Sequence, residues 1–262
     1  MTRIMTIAGI VWLERLRRKD IYVLLVLCAA LLMSLMSLNV LGLGGMVRYI
    51  YDIGLLLAWI FSLIITITTS AQQIPQEQSK GTIFPLLAKP VTRADIIIGK
   101  WLGAWTISSF ATSVFYALTV LVAALRGGSL PAVTLAQGLT AHCAALAIIS
   151  AIAITLSTRS NSDAAASITA VFTAAALLLL PRVPNLILHE TSEIRQTLMM
   201  IIYYLLPHFE IFDMRRRIVH DWGPVPWTIW LITIMYAIIF TAIFLLIAWL
   251  GFRKKRFPQD MN

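Results

Sequence analysis

IGLLLAWIFSLIITITTSAQQI (residues 53–74), PQEQSKGTIFPLLAKPVTRADIIIGK (75–100) and WLGAWTISSFATSVFYALTVLVAAL (101–125) are consecutive, and their reading decides the fold. The first and third pieces are apolar over more than the roughly 20 residues that a helix needs to cross a hydrocarbon core about 30 Å thick. The piece between them is short, charged and bounded by prolines. Two crossing helices joined by a compact polar loop is the arrangement this pattern predicts.

The same pattern continues outward. The 262-residue chain is 59% hydrophobic and 13% charged, with a mean hydropathy of +0.84. Soluble domains carry about a quarter charged residues, so this composition belongs to an integral membrane protein. Apolar runs of spanning length lie at 21–44, 53–74, 101–125, 134–158, 164–181 and 227–251. The expected fold is therefore an all-α polytopic membrane protein with six transmembrane helices in a single domain, 1–262. The spans leave little room for a soluble catalytic domain. Thr197 to Leu206 (TLMMIIYYLL) is about half the length of a crossing and is closed by Pro207. It is read as a re-entrant or interfacial helix inside an external segment, 182–226.

Basic residues set the orientation. With both termini in the cytoplasm, the inner segments hold Arg3, Arg15, Arg17, Arg18, Lys19, Lys80, Lys89, Arg93, Lys100, Arg159, Arg253, Lys254, Lys255 and Arg256. Arg48, Arg126, Arg182, Arg195 and Arg215 to Arg217 fall outside. The majority inside satisfies the positive-inside rule, so the net charge of +9 reports topology and needs no nucleic acid to explain it. The run from Ile21 is too long for the core of a cleaved signal and reads as an uncleaved first span. Before it, within 1–19, Ile4, Ile7, Ala8, Val11 and Trp12 share one helical face. That pattern suits a helix lying on the cytoplasmic surface, its apolar side in the acyl boundary. A basic flank that merely orients the first span fits the same residues.

Within the loop 75–100, Pro75 is expected to end the second span, because it cannot donate the next helical hydrogen bond. Glu77 to Leu87 has the composition of a short two-faced helix, which Pro90 breaks. Thr92, with Asp95 three residues later, forms the pattern of a capping box for a new helix. Trp101 and Trp105 are expected near the interface.

The order Glu77-x-x-Lys80-Gly81-Thr82, Leu86-Leu87, Pro90-Val91-Thr92-Arg93 and Gly99-Lys100 resembles the cytoplasmic loop of ABC-2 type permeases, the membrane subunits of a class of ABC exporters. The six-span layout, the N-terminal interfacial helix and the long external segment extend the resemblance over essentially the whole chain. It implies a cytoplasmic coupling helix between spans 2 and 3 that docks on a separate ATPase. In that reading Glu77 is the acidic contact, Gly81-Thr82 the turn and cap, and Lys80, Pro90, Thr92, Arg93, Gly99 and Lys100 complete the coupling set. The family often has a second carboxylate two residues after the first, where this chain has Ser79 and then Lys80. The resemblance further implies two ATPase copies that bind ATP and Mg, a second permease copy or a related permease, and residence in a bacterial cytoplasmic (inner) membrane. No cofactor or catalytic residue is expected in this chain. The phosphate-cradling G-x-x-x-x-G-K-[ST] pattern is absent, Gly99-Lys100 being followed by Trp101.

The other features have plainer readings. His142 is the ionisable residue expected well inside a span, which disfavours a proton-coupled carrier or charge-selective channel. A membrane-embedded enzyme would need nucleophile, base or metal ligands at one depth, and no such set is visible. Thr66, Thr68, Thr69 and Ser70 in span two, and Ser108, Ser109, Thr112 and Ser113 in span three, either line a path or bond across helices. Ala166, Ala170 and Ala174 repeat at small-xxx-small spacing and make span five the first candidate for a dimer seam. The external acids and imidazoles begin like a zinc-protease helix at His189-Glu190 but lack the second histidine, so no metal site is expected. Cys28 and Cys143 are read as small packing residues.

Overall fold

A computed structural model of the chain describes residues 2–37, 46–79, 92–160, 162–180 and 193–253. The regular elements among them are all helical: α1 (Thr2–Arg17), α2 (Asp20–Ser37), α3 (Met46–Ala71), α4 (Gln73–Ser79), α5 (Arg93–Leu125), α6 (Ala132–Arg159), α7 (Asp163–Leu178), α8 (Glu193–Leu205), a 3-10 turn (Phe209–Phe212), α9 (Arg215–Val219) and α10 (Trp227–Arg253). In lipid every backbone polar group must be satisfied within its own segment, and a helix does this.

Among the described residues, four helices are long and apolar enough to cross a bilayer, over Val47–Ala71, Arg93–Leu125, Ala132–Arg159 and Trp227–Arg253. These coincide with expected spans two, three, four and six. At the places of spans one and five stand the shorter apolar helices Tyr22–Ser34 and Asp163–Leu178. The latter has 16 residues, about 24 Å at 1.5 Å per residue, less than the core thickness.

α6 is the axis of the bundle, with 72% of its apolar window buried, whereas α10 has only 17%. Ile232, Met235, Ile239 and Ile243 of α10 point away from the bundle, as lipid-facing residues should. One core joins Ile67 of α3, Ile149 and Ala153 of α6 and the alanine face of α7. A second joins Leu55, Phe61 and Phe115 between α3 and α5. A small third core brings together Ile74 of α4, Ile97 of α5, Ile154 of α6 and Phe252 of α10 at one end.

Two expectations are corrected. Pro75 does not end the second span: α3 stops at Ala71, and Pro75 stands third in α4. A proline is accommodated in a first helical turn because the N–H it lacks has no intrahelical acceptor there. α1 also does not offer Ile7, Ala8 and Val11 to lipid. They are buried, with the helix packed against α5, and its outward apolar residues are instead Met5, Ile10 and Leu13.

Candidate functional site

Glu77 and Lys100 meet where α4, α5 and the third core converge. The Lys100 side chain is 2% exposed, and its Nζ donates to Glu77 Oε1 at 2.7 Å and to the Gln73 carbonyl at 2.9 Å. A buried ammonium is tolerable only when paired and hydrogen-bonded, so α4 and α5 are tied together here. Lys100 follows Ile97 by one turn, and Ile97 packs with Ile74 in the third core. Apolar packing and ion pair therefore enforce the same register.

The start of α5 is fixed twice more. Thr92 Oγ1 accepts from the Asp95 N–H at 3.1 Å while the Thr92 N–H donates to Asp95 Oδ2 at 3.0 Å, the expected capping box. Arg93 Nη1 donates to the Phe252 and Arg253 carbonyls, both at 2.8 Å. Those are orphan carbonyls of the last turn of α10, where a cation also complements the helix dipole.

The N-terminal helix is part of the same frame. A Cβ on Gly99 would come within 2.8 Å of Ile7 Cβ, and one on Gly103 within 2.7 Å of Val11 Cβ and 2.9 Å of the Ala8 carbonyl. The absent side chains let α1 lie directly on α5, with Trp12 Nε1 donating to Thr106 Oγ1 at 2.7 Å. From α1, the buried Arg15 reaches the Thr69 carbonyl at 3.3 Å and the Thr68 carbonyl at 3.4 Å, in the last turn of α3. Arg18 Nη2 donates to Gln76 Oε1 at 2.9 Å. The break between α3 and α4 is thus held from outside by two arginines.

Of the expected coupling set, the structure gathers Glu77, Lys100, Thr92, Arg93 and Gly99 at one end of the bundle. Lys80, Gly81, Thr82 and Pro90 lie outside the described residues. Ala166, Ala170 and Ala174 are buried within the chain against α3 and α6, so a seam on α7 would use its other face, carrying Ile168, Val171 and Phe172. Among the described residues no three His, Cys, Asp or Glu side chains gather as a metal site.

The hydroxyl rows mostly bond to their own helices. Thr66, Ser108, Thr112 and Ser113 donate to the carbonyl four residues back, a common arrangement for hydroxyls inside a helix. Ser70 crosses between helices, meeting Ser150 Oγ at 2.8 Å. His142 is fully buried, 2.8 Å from Ser62 Oγ and stacked on Trp59 with centroids 4.0 Å apart, a packed and bonded histidine.

Sequence reading missed three contacts. Trp101 and Trp105 donate to the Ala147 and Cys143 carbonyls at 3.1 and 2.8 Å and fasten α5 to α6. Their four-residue spacing, matched by that of their acceptors, was the available signal. Gln137 binds Val225 at both its N–H and its carbonyl, at 2.8 and 2.9 Å, and so pins the segment before α10. The Arg15 contact with the end of α3 and the Arg93 contact with the end of α10 carried no signal, because the carbonyls that accept from them are backbone groups.

Residues 29–256 match the family described as ABC-2 family transporter protein. No curated protein matches the chain.

Proposed function

Because the chain belongs to the ABC-2 family of transporter proteins, we propose that it is the permease subunit of an ATP-driven exporter and that α4, α5 and the segment between them couple it to a separate ATPase. Two ATPase copies carry ATP and Mg, and a second permease copy or a related permease completes the membrane unit. The assembly resides in a bacterial inner membrane with both chain termini cytoplasmic, crossing six times if α2 and α7 also span.

The observation that carries this reading is the buried Lys100 bridge to Glu77 and Gln73. A segment that receives force must be stiffly joined to what it moves. Here both ends of the segment 80–91 are anchored, at α4 by the bridge and at α5 by the Thr92 cap and the Arg93 clasp on α10. A push on that segment reaches α3 through α4, α5 directly, and α10 through Arg93. In this account Glu77 acts by holding Lys100, which differs from direct contact with the ATPase.

The test is a charge swap in reconstituted vesicles containing the complete complex. Glu77→Lys should uncouple ATP hydrolysis from export, and Glu77→Lys with Lys100→Glu should recover a substantial part of the coupling. Wild-type coupling in the single variant would remove the bridge from the mechanism. Failure of the swap, with the protein folded, would return Glu77 to an ATPase contact. Labelling of introduced cysteines at 77–100 from outside the cell would overturn the orientation itself.

A further inference from the structure

At the end of the bundle opposite Lys100, α3 and α9 enclose a cleft of about 600 Å³. Its cationic lining comprises Arg48 from the first turn of α3 and Arg215 and Arg216 from α9. Asp52 is the carboxylate among the described lining residues, and it is engaged with Arg215 Nε at 3.4 Å. The Arg48 and Arg216 side chains have no hydrogen-bond or ion-pair partner among the described residues. The two guanidiniums therefore stand in one cleft with no donor engaged by a described residue.

The walls are fixed rather than incidental. α9 is anchored by Ile218, 2% exposed, which packs into the second core beside Tyr116 and against Gly138 of α6. Aromatic groups complete the cleft: His220 and Trp222 stack with centroids 5.3 Å apart, and Tyr49 and Trp222 are each 63% exposed. Exposed amphipathic rings at the end of apolar helices are characteristic of the headgroup level of a bilayer. Guanidinium groups with free forks match phosphate geometry better than any other side chain, and the volume is that of a ligand site.

We propose that this cleft binds the phosphate group of an anionic amphiphile, with Arg48 and Arg216 as the phosphate ligands, Arg215 held in place by Asp52, and the aromatic rings flanking the headgroup. Its placement at the outer leaflet rests on the orientation proposed above. Binding itself does not depend on the ATPase, so its failure would leave the coupling reading intact.

The experiment uses the full chain purified in neutral detergent. Retention of phosphatidylglycerol is compared with that of phosphatidylcholine by native mass spectrometry, and inorganic phosphate is titrated as a competitor. Wild-type protein should retain phosphatidylglycerol in preference. Arg48→Gln with Arg216→Gln should weaken it at least about tenfold, the effect of losing charge-assisted hydrogen bonds, while Arg195→Gln on α8 should leave it unchanged. Displacement by inorganic phosphate would identify the phosphate alone as sufficient. Retention despite phosphate, with loss in the double variant, would identify the amphiphile as the source. Equal retention in wild type and double variant, or equal loss in Arg195→Gln, would overturn the proposal. Both arginines are solvent-facing, and an unchanged melting temperature in the double variant verifies that the site, not the fold, was altered.

Discussion

The two ends of α3 treat positive charge in opposite ways. At its C-terminal end Arg15, Arg18 and Lys100 are turned inward onto carbonyls, amide oxygens and Glu77. At its N-terminal end, some 39 Å away for a 26-residue helix, Arg48 faces an open cleft shared with Arg216. Burying a charge is expensive and is offset only by well-placed partners, so the inner arrangement serves to fix position. Leaving charges without partners in a cleft keeps their full interaction strength for something else. On the roles proposed above, one end transmits and the other binds.

The largest expected effect breaks this contrast most directly. Glu77→Leu leaves the Lys100 ammonium buried with the Gln73 carbonyl as its remaining acceptor, and such an uncompensated charge costs about 3–5 kcal/mol. The Glu77 side chain is 28% exposed, so some water reaches the pair and the lower figure applies. Thermal unfolding in detergent should show a clear loss. The same measurement on Arg48→Gln with Arg216→Gln should show almost none. Equal losses from both would mean that the ends do not differ.

Next in size is Gly103→Val. Its branched side chain would meet Val11 and the Ala8 backbone, and overpacking of this kind costs about 1–3 kcal/mol. Lifting α1 from α5 would also draw Arg15 away from the end of α3. Thermal unfolding of Gly103→Val in detergent should register that loss, and hydrogen exchange of the α1 amides should rise both in it and in Arg15→Gln. Unchanged exchange in Arg15→Gln would show that the glycine contact alone holds α1.

Gln137→Leu probes the opposite end with a neutral group. It removes both hydrogen bonds to Val225 and leaves a backbone N–H and C=O to find water, at about 1–3 kcal/mol. Hydrogen exchange at Val225 should rise while exchange at residues 93–100 stays as it was. Faster exchange at both places would mean that the ends are more tightly joined than the packing suggests.

How much of this was legible in the sequence follows from the kind of interaction involved. The long helices could be read because α3, α5, α6 and α10 are unbroken apolar runs, and the Thr92 cap because both its partners lie within four residues. The fifth span was over-extended because hydropathy persists past the point where α7 ends, after Leu178. The Glu77–Lys100 bridge was hidden because the two residues look like separate charges on one loop, and only folding reveals that Lys100 faces the core. Arg15 was taken for a topological signal for a related reason: composition registers a cation but not the backbone carbonyls it will meet. The face of α1 was identified correctly, but what covers it depended on Gly99 and Gly103, ninety residues on. The cleft on α9 needs Arg48 and Arg216, which lie far apart in the chain.

The smallest effect sharpens the contrast at its most local point. In Thr92→Ala the Asp95 N–H loses its acceptor and the carboxylate loses the hydroxyl that donates to it at 2.7 Å. Removing an N-cap opens the first turn about fivefold more often, so exchange of the Asp95 and Ile96 amides should rise by that factor. Thr92→Ser, which keeps the oxygen, should not do this. If α5 is held chiefly by Lys100 and Arg93, the fraying should stop before residue 97 and coupling should survive. If it instead reaches Lys100, the cap itself belongs to the force-bearing frame, and Thr92→Ala should lower coupling without lowering the melting temperature.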